Sequence, residues 1–115
     1  MLNQIVLVGR LVRDIEIKET NGKKNAIITI AVPRSYKNHN GIYETDFIDC
    51  ILWNGIATNT SEYCKKGDLV GVKGRVQSSI VSDDSKSIDE SKKNELQIVA
   101  EKVTFLSSKK KESND

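Results

Sequence analysis

The stretch Tyr36-Lys37-Asn38-His39-Asn40-Gly41-Ile42-Tyr43-Glu44-Thr45-Asp46-Phe47-Ile48-Asp49-Cys50-Ile51-Leu52-Trp53 decides how the rest of the chain is read. Its second half, Thr45 to Trp53, alternates with the period of a strand. Ile48, Cys50 and Leu52 share one face and suit a core, whereas Phe47, Asp49, Ile51 and Trp53 share the other. A strand with an apolar inner face normally turns polar residues outward; this one turns out two large rings. One Trp, three Tyr and two Phe make up the aromatics, and this stretch holds four of the six: Tyr36, Tyr43, Phe47 and Trp53. Two readings fit the pattern. Either a second layer covers the face and the rings are core, or the rings stand free and stack on unpaired bases.

Working outward, Arg34 to Glu44 reads as a polar loop with Asn40-Gly41 at its tip. His39 in that loop reads as solvated surface. One His and two separated Cys make no metal constellation, so neither a metal nor another cofactor is expected. Upstream, Asn25 to Val32 is a strand with Ala26, Ile28, Ile30 and Val32 on one face, and Pro33 is expected to end its hydrogen bonding. Asn21-Gly22 is a hairpin signal because both residues tolerate positive φ. Asn3 to Ile17 reads as one long curved strand, or two strands meeting at a kink, with Gly9 marking a bulge or bend.

Downstream, Asn54-Gly55 breaks the strand, and Ile56 to Lys66 reads as a short helix on the recurrence of Ile56, Ala57, Thr60, Tyr63 and Cys64. Lys65 and Lys66 would fill its last turn and Gly67 would stop it. Tyr63 is expected to pack under the sheet. Leu69 to Ser79 is a strand with Val70, Val72, Gly74 and Val76 on one face and Lys73, Arg75 and Gln77 on the other. Those two cations would either meet phosphates or line a solvated face. Val81 to Asn94 reads as a mobile loop, Glu95 to Leu106 as the last strand, and residues 107–115 as a polar, disordered tail. About five strands with a helix between the third and fourth is the order of an OB-fold. The fold class is therefore all-β with one short helix, a five-stranded Greek-key barrel spanning residues 1–106.

Composition narrows the class. A chain of 115 residues, 37% hydrophobic and 30% charged, suits a single soluble domain with one modest core. The opening from Met1 to Val8 is too short to span a membrane and lacks the basic flank of a signal peptide. Free Cys50 and Cys64 without a secretion signal fit a reducing cytoplasm. The segment from Asp83 to Glu95 carries a local net charge of −2, leaving +4 for the rest of a chain whose total is +2. A mildly basic body with one acidic loop is compatible with a polyanionic partner.

Five segments carry a resemblance: Leu2 to Leu11 (LNQIVLVGRL), Arg34 to Asn38 (RSYKN), Thr45 to Trp53 (TDFIDCILW), Glu62 to Gly67 (EYCKKG) and Leu69 to Gln77 (LVGVKGRVQ). Together, in that order and spacing, they resemble the bacterial single-stranded DNA-binding proteins, most of all the short Gram-positive paralogues linked to natural transformation. The resemblance implies a cytoplasmic, nucleoid-associated OB-fold homotetramer, a dimer of dimers. It would wrap single-stranded DNA without sequence preference and without catalysis. It also implies that Tyr36, Phe47 and Trp53 stack bases, that Ile51 lies on the same surface, and that Arg10, Arg34, Lys65, Lys66, Lys73 and Arg75 meet phosphates.

Three departures limit the transfer. After Gly74-Arg75-Val76-Gln77 the family usually keeps an arginine and an aromatic where this chain has Ser79 and Val81. Asp49 stands on the proposed face where the family more often has a neutral or basic residue. The chain ends in Lys-Lys-Lys-Glu-Ser-Asn-Asp rather than an acidic, hydrophobic tip, so recruitment of repair enzymes through the tail is not expected. A second reading is a protein-interaction OB module of primosome type with secondary DNA binding. A metal-dependent nuclease is disfavoured because Asp46 and Asp49, three apart on a strand, point to opposite faces.

Overall fold

A computed structural model describes residues 2–82 and 92–109. Its elements run β1 (Ile5–Leu11), β2 (Lys18–Thr20), β3 (Lys23–Lys37), β4 (Tyr43–Trp53), α1 (Asn54–Tyr63), β5 (Leu69–Ser82) and β6 (Lys92–Ser107). The strand order is β1-β5-β6-β4-β3-β2, and an extra β1–β3 pairing closes five of these strands into a barrel. All neighbours are antiparallel except β4 and β6, which run parallel through Cys50↔Ile98 and Ile51↔Val99. This is the expected OB barrel, with β2 as a three-residue extension of β3.

The core is built from the inward positions that the alternation predicts. Ala26, Ile28 and Ile30 of β3, Cys50 and Leu52 of β4, and Val70 and Val72 of β5 are all buried, and Ala57 of α1 closes one end. Burying each Ile, Leu or Val of this set stabilises by about 1.5–3 kcal/mol, so a one-residue slip of β4 that turned Leu52 outward is strongly disfavoured.

Several elements differ from the sequence reading, each for a physical reason. The run from Asn3 to Ile17 is neither one strand nor two meeting at a kink. Strand β1 ends at Leu11, and Ile15 and Ile17 reach the core from irregular backbone. Gly9 marks no bulge, since Ile5 to Arg10 pair regularly with β5. It is glycine because β1 there crosses onto β3, and a Cβ would stand 2.5 Å from the Ala31 carbonyl oxygen. Pro33 does not end β3. The ladder continues to Pro33↔Thr45, skips, and resumes at Lys37↔Tyr43, so Arg34 to Lys37 form a strand arm rather than a loop.

Asn54 does not lie outside the helix but opens it, with a left-handed φ of 54° that turns the chain from strand to helix. The helix stops at Tyr63, so Lys65 and Lys66 belong to the following turn, where Gly67 takes a φ of 93°. Tyr63 does not pack under the sheet; it is 72% exposed. The expected loop from Val81 to Asn94 is shorter than predicted, because β5 and β6 pair out to Ser82↔Lys92. Asp83 to Glu90 and residues 110–115 lie outside the described residues.

Candidate nucleic-acid interface

Cross-strand register puts the outward residues of the barrel into rows, since directly opposed residues project from the same side of the sheet. One row runs Arg10–Ala31–Phe47 across β1, β3 and β4. A second runs Ile27–Ile51–Val99–Arg75 across β3, β4, β6 and β5. Thr29–Asp49 and Asn25–Trp53 flank the second row. Phe47, Asp49, Ile51 and Trp53 therefore share one outer surface with Arg10 and Arg75, as the alternation of β4 predicts.

Their accessibility differs. Phe47 is 67% exposed, so its ring presents an open face; Trp53 is half-buried. Ile51 is only 9% exposed and forms part of the floor, so it offers no stacking surface of its own. Tyr36 and Tyr43 stand exposed on the β3–β4 arm, where the Lys37 ammonium lies 5.5 Å from the centre of the Tyr43 ring.

Basic residues divide into three groups. Arg10, Lys65 and Lys66 come together around one turn. The Arg10 guanidinium donates to the Gly67 carbonyl at 3.0 Å, the Gly67 amide donates to the Leu11 carbonyl, and the Lys66 amide donates to Asp14. Both lysine side chains there are exposed. Arg34 and Arg75 are already engaged. Arg34 pairs with Asp46 and Glu44 at 2.8 Å each, and Arg75 pairs with Glu101 at 3.3 Å and donates to Gln77. The hydrogen bond from Arg34 and then its charge hold the Asp46 carboxyl below its ordinary range, and Asp46 in turn holds Arg34 more firmly charged. Lys73 lies apart, in the row Val6–Lys73–Lys102 on the β1–β5–β6 side of the barrel.

Three residues of this surface escaped the sequence reading. Thr29 donates to the Asp49 carboxylate at 2.5 Å, and Arg13 donates to the Thr29 hydroxyl at 3.2 Å. Ile27, between them and Asn25 on β3, is 59% exposed. The signal was present: once Ala26, Ile28 and Ile30 are assigned inward, Ile27 and Thr29 must point outward. Arg13 had no such signal, because it leaves β1 on irregular backbone. Asp46 and Asp49 do point apart, the first to Arg34 and the second to Thr29.

The single-strand binding protein family model matches residues 2–106. The chain belongs to this family. Over 78 residues it is 50% identical to single-stranded DNA-binding protein B of Bacillus subtilis, covering 67% of this chain and 69% of that protein. It is 44% identical over 111 residues to single-stranded DNA-binding protein 3 of Listeria innocua, covering 95% of this chain and 66% of the relative. Single-stranded DNA-binding protein 1 of Clostridium acetobutylicum is 41% identical over 111 residues, 95% of this chain and 97% of its own length. The chain thus spans about two thirds of the first two relatives and nearly all of the third. No helix among the described residues is long and apolar enough to cross a membrane.

Proposed function

We propose that the protein binds single-stranded DNA with no required sequence and no catalytic step, in replication, recombination, repair or natural transformation. The observation that carries this reading is Phe47 at 67% exposure on the same outward face as Trp53. Stacking of one base contributes about 1–3 kcal/mol. A single repulsive charge such as Asp49 costs about 1 kcal/mol at 4 Å in water, so two stacked bases outweigh it. Arg10, Lys65 and Lys66 supply phosphate contacts beside the row that ends in Phe47. Tyr36 extends the stacking surface along the arm. Arg34, Lys73 and Arg75 contribute less, being engaged or remote.

The same reading includes self-association into a homotetramer. Among the described residues, Ile5 to Gly9 pair with β5 on one side only, and Val6 and Val8 are exposed beside a cleft of about 350 Å³ lined by Ala31, Pro33 and Leu69. An apolar strand with a free edge is a surface that a second copy would cover. A cytoplasmic, nucleoid-associated location follows from the proposed ligand.

The deciding experiment is a titration with poly(dT) at several salt concentrations, followed by Trp53 fluorescence, with sedimentation velocity on the same sample. Quenching that weakens with salt is expected. No quenching would favour the protein-interaction reading, and a monomer at micromolar concentration would refute the tetramer.

A further inference from the structure

Among the described residues, strands β4 and β6 pair only at Cys50↔Ile98 and Ile51↔Val99. Towards Asp49 and Gln97 they splay and leave a cleft of about 290 Å³. Ile27, Ile51 and Leu96 line it, and Leu96 is 81% exposed at the mouth. A cleft just below the usual range for drug-sized ligands admits a fragment as small as one base, not a length of chain.

Its polar rim is unusual in being rich in acceptors. Asp49 and Glu95 place two carboxylates on it. Oδ1 of Asp49 is taken by the Thr29 hydroxyl, while no donor among the described residues reaches Oδ2. Gln97 accepts from Gln77 through Oε1, which leaves its amide NH₂ as a donor on the rim beside the Ser79 hydroxyl, away from the free Asp49 oxygen. The geometry points to a one-base subsite that selects nucleobases bearing an exocyclic amino group over thymine. Cytosine and adenine carry an NH₂ donor beside a ring-nitrogen acceptor, whereas thymine presents a carbonyl at the corresponding position. A free carboxylate oxygen therefore accepts from cytosine or adenine and repels the thymine carbonyl. This inference rests on the proposed single-stranded DNA binding; it adds a composition bias at one position, not a sequence requirement.

The test compares dC and dT oligomers of about 16 nucleotides, end-labelled, by fluorescence anisotropy on the full chain at fixed salt and about pH 8. The variant is Asp49→Asn. Its amide oxygen still accepts from Thr29, so the fold is kept, while the free oxygen becomes an NH₂ donor. Removing the negative charge should tighten both oligomers equally and cancels from the dC:dT affinity ratio. Exchanging one acceptor for a donor should lower that ratio at least about fivefold, the worth of the one net hydrogen bond lost to cytosine. A ratio that stays the same while both oligomers bind would overturn the subsite and leave DNA binding intact. Failure of the unmodified protein to bind either oligomer would overturn both.

Discussion

Arg34 holds Asp46 through both Nε and Nη2 while its Nη1 reaches Glu44, so one guanidinium is divided between two carboxylates of the facing strand. A fork spent in this way is not free for phosphate. Arg34→Ala should therefore change the slope of log affinity against log salt by much less than the ~0.7 expected for one lost single-strand phosphate contact. Lys66→Ala, at a position whose exposed side chain makes no ion pair among the described residues, should lower it by about 0.7. Salt titrations of the two variants check the contrast, and equal slopes would contradict it.

The pair also gives the arm a pH dependence. Asp46 is lowered from 3.8, so its contribution to stability is fully present above that value and is lost as pH falls through the lower folded-state value. Acid titration should therefore loosen the Arg34–Asp46 arm only below the ordinary carboxylate range. Two-dimensional NMR of the Arg34 Nε–H signal would follow it, and release near neutral pH would show that the pair does not hold the arm.

Phe47 and Trp53 should separate binding from stability. Phe47 is 67% exposed, so Phe47→Ala should cost about 1–3 kcal/mol of binding per stacked base with little change in Tm. Trp53 is half-buried at the strand-to-helix junction, so Trp53→Ala should lower both affinity and Tm. Calorimetry beside an anisotropy titration separates the two effects. Equal loss of Tm in both variants would mean that Phe47 is structural.

What the sequence made legible was whatever depends on a period of two. The inward and outward faces of β3, β4 and β5 follow from alternation, and with them the Phe47–Trp53 surface. What it hid depends on neighbours distant in the chain. Tyr63 has helical spacing, but spacing does not say that its ring stands exposed. Arg34 and Arg75 look like free cations until the register supplies Asp46 and Glu101. The continuation of β3 past Pro33 was hidden because Pro33 still pairs with Thr45 and the ladder, after an irregularity, resumes at Lys37↔Tyr43.

Cys50 provides an alkaline signature. Burial, and secondarily the charge of Asp49, pushes its thiol up from 9.0 to about 11. A raised folded-state value favours the protonated form. Its contribution is present below the unfolded-state value and is lost as pH climbs from 9.0 towards about 11. Stability measured by urea melts should fall across that window, and Cys50→Ala should flatten the fall. A fall of the same size in Cys50→Ala would place its origin elsewhere.

Ser79 faces Glu95 across the β5–β6 ladder. An arginine placed at Ser79 would therefore set a guanidinium opposite a carboxylate. Ser79→Arg alone should change the salt slope by less than ~0.7, whereas Ser79→Arg with Glu95→Gln should add the full contact. The same slope in both variants would show that Glu95 does not restrain the new cation.

The pairing of β1 with β5 also bears on the order in which the chain assembles. Strand pairs β3–β4 and β5–β6 are near neighbours along the chain, but Val8 meets Gly71 more than half the chain away. Closing so long a loop costs entropy before any pairing repays it. The barrel should then shut last, after the sheet bearing Phe47 and Trp53 has formed. Pulse-labelled hydrogen exchange during refolding would find the Ile28 amide protected before that of Leu7, and simultaneous protection would exclude this order. A chain emerging from the ribosome would carry its Phe47–Trp53 surface before it has closed its core.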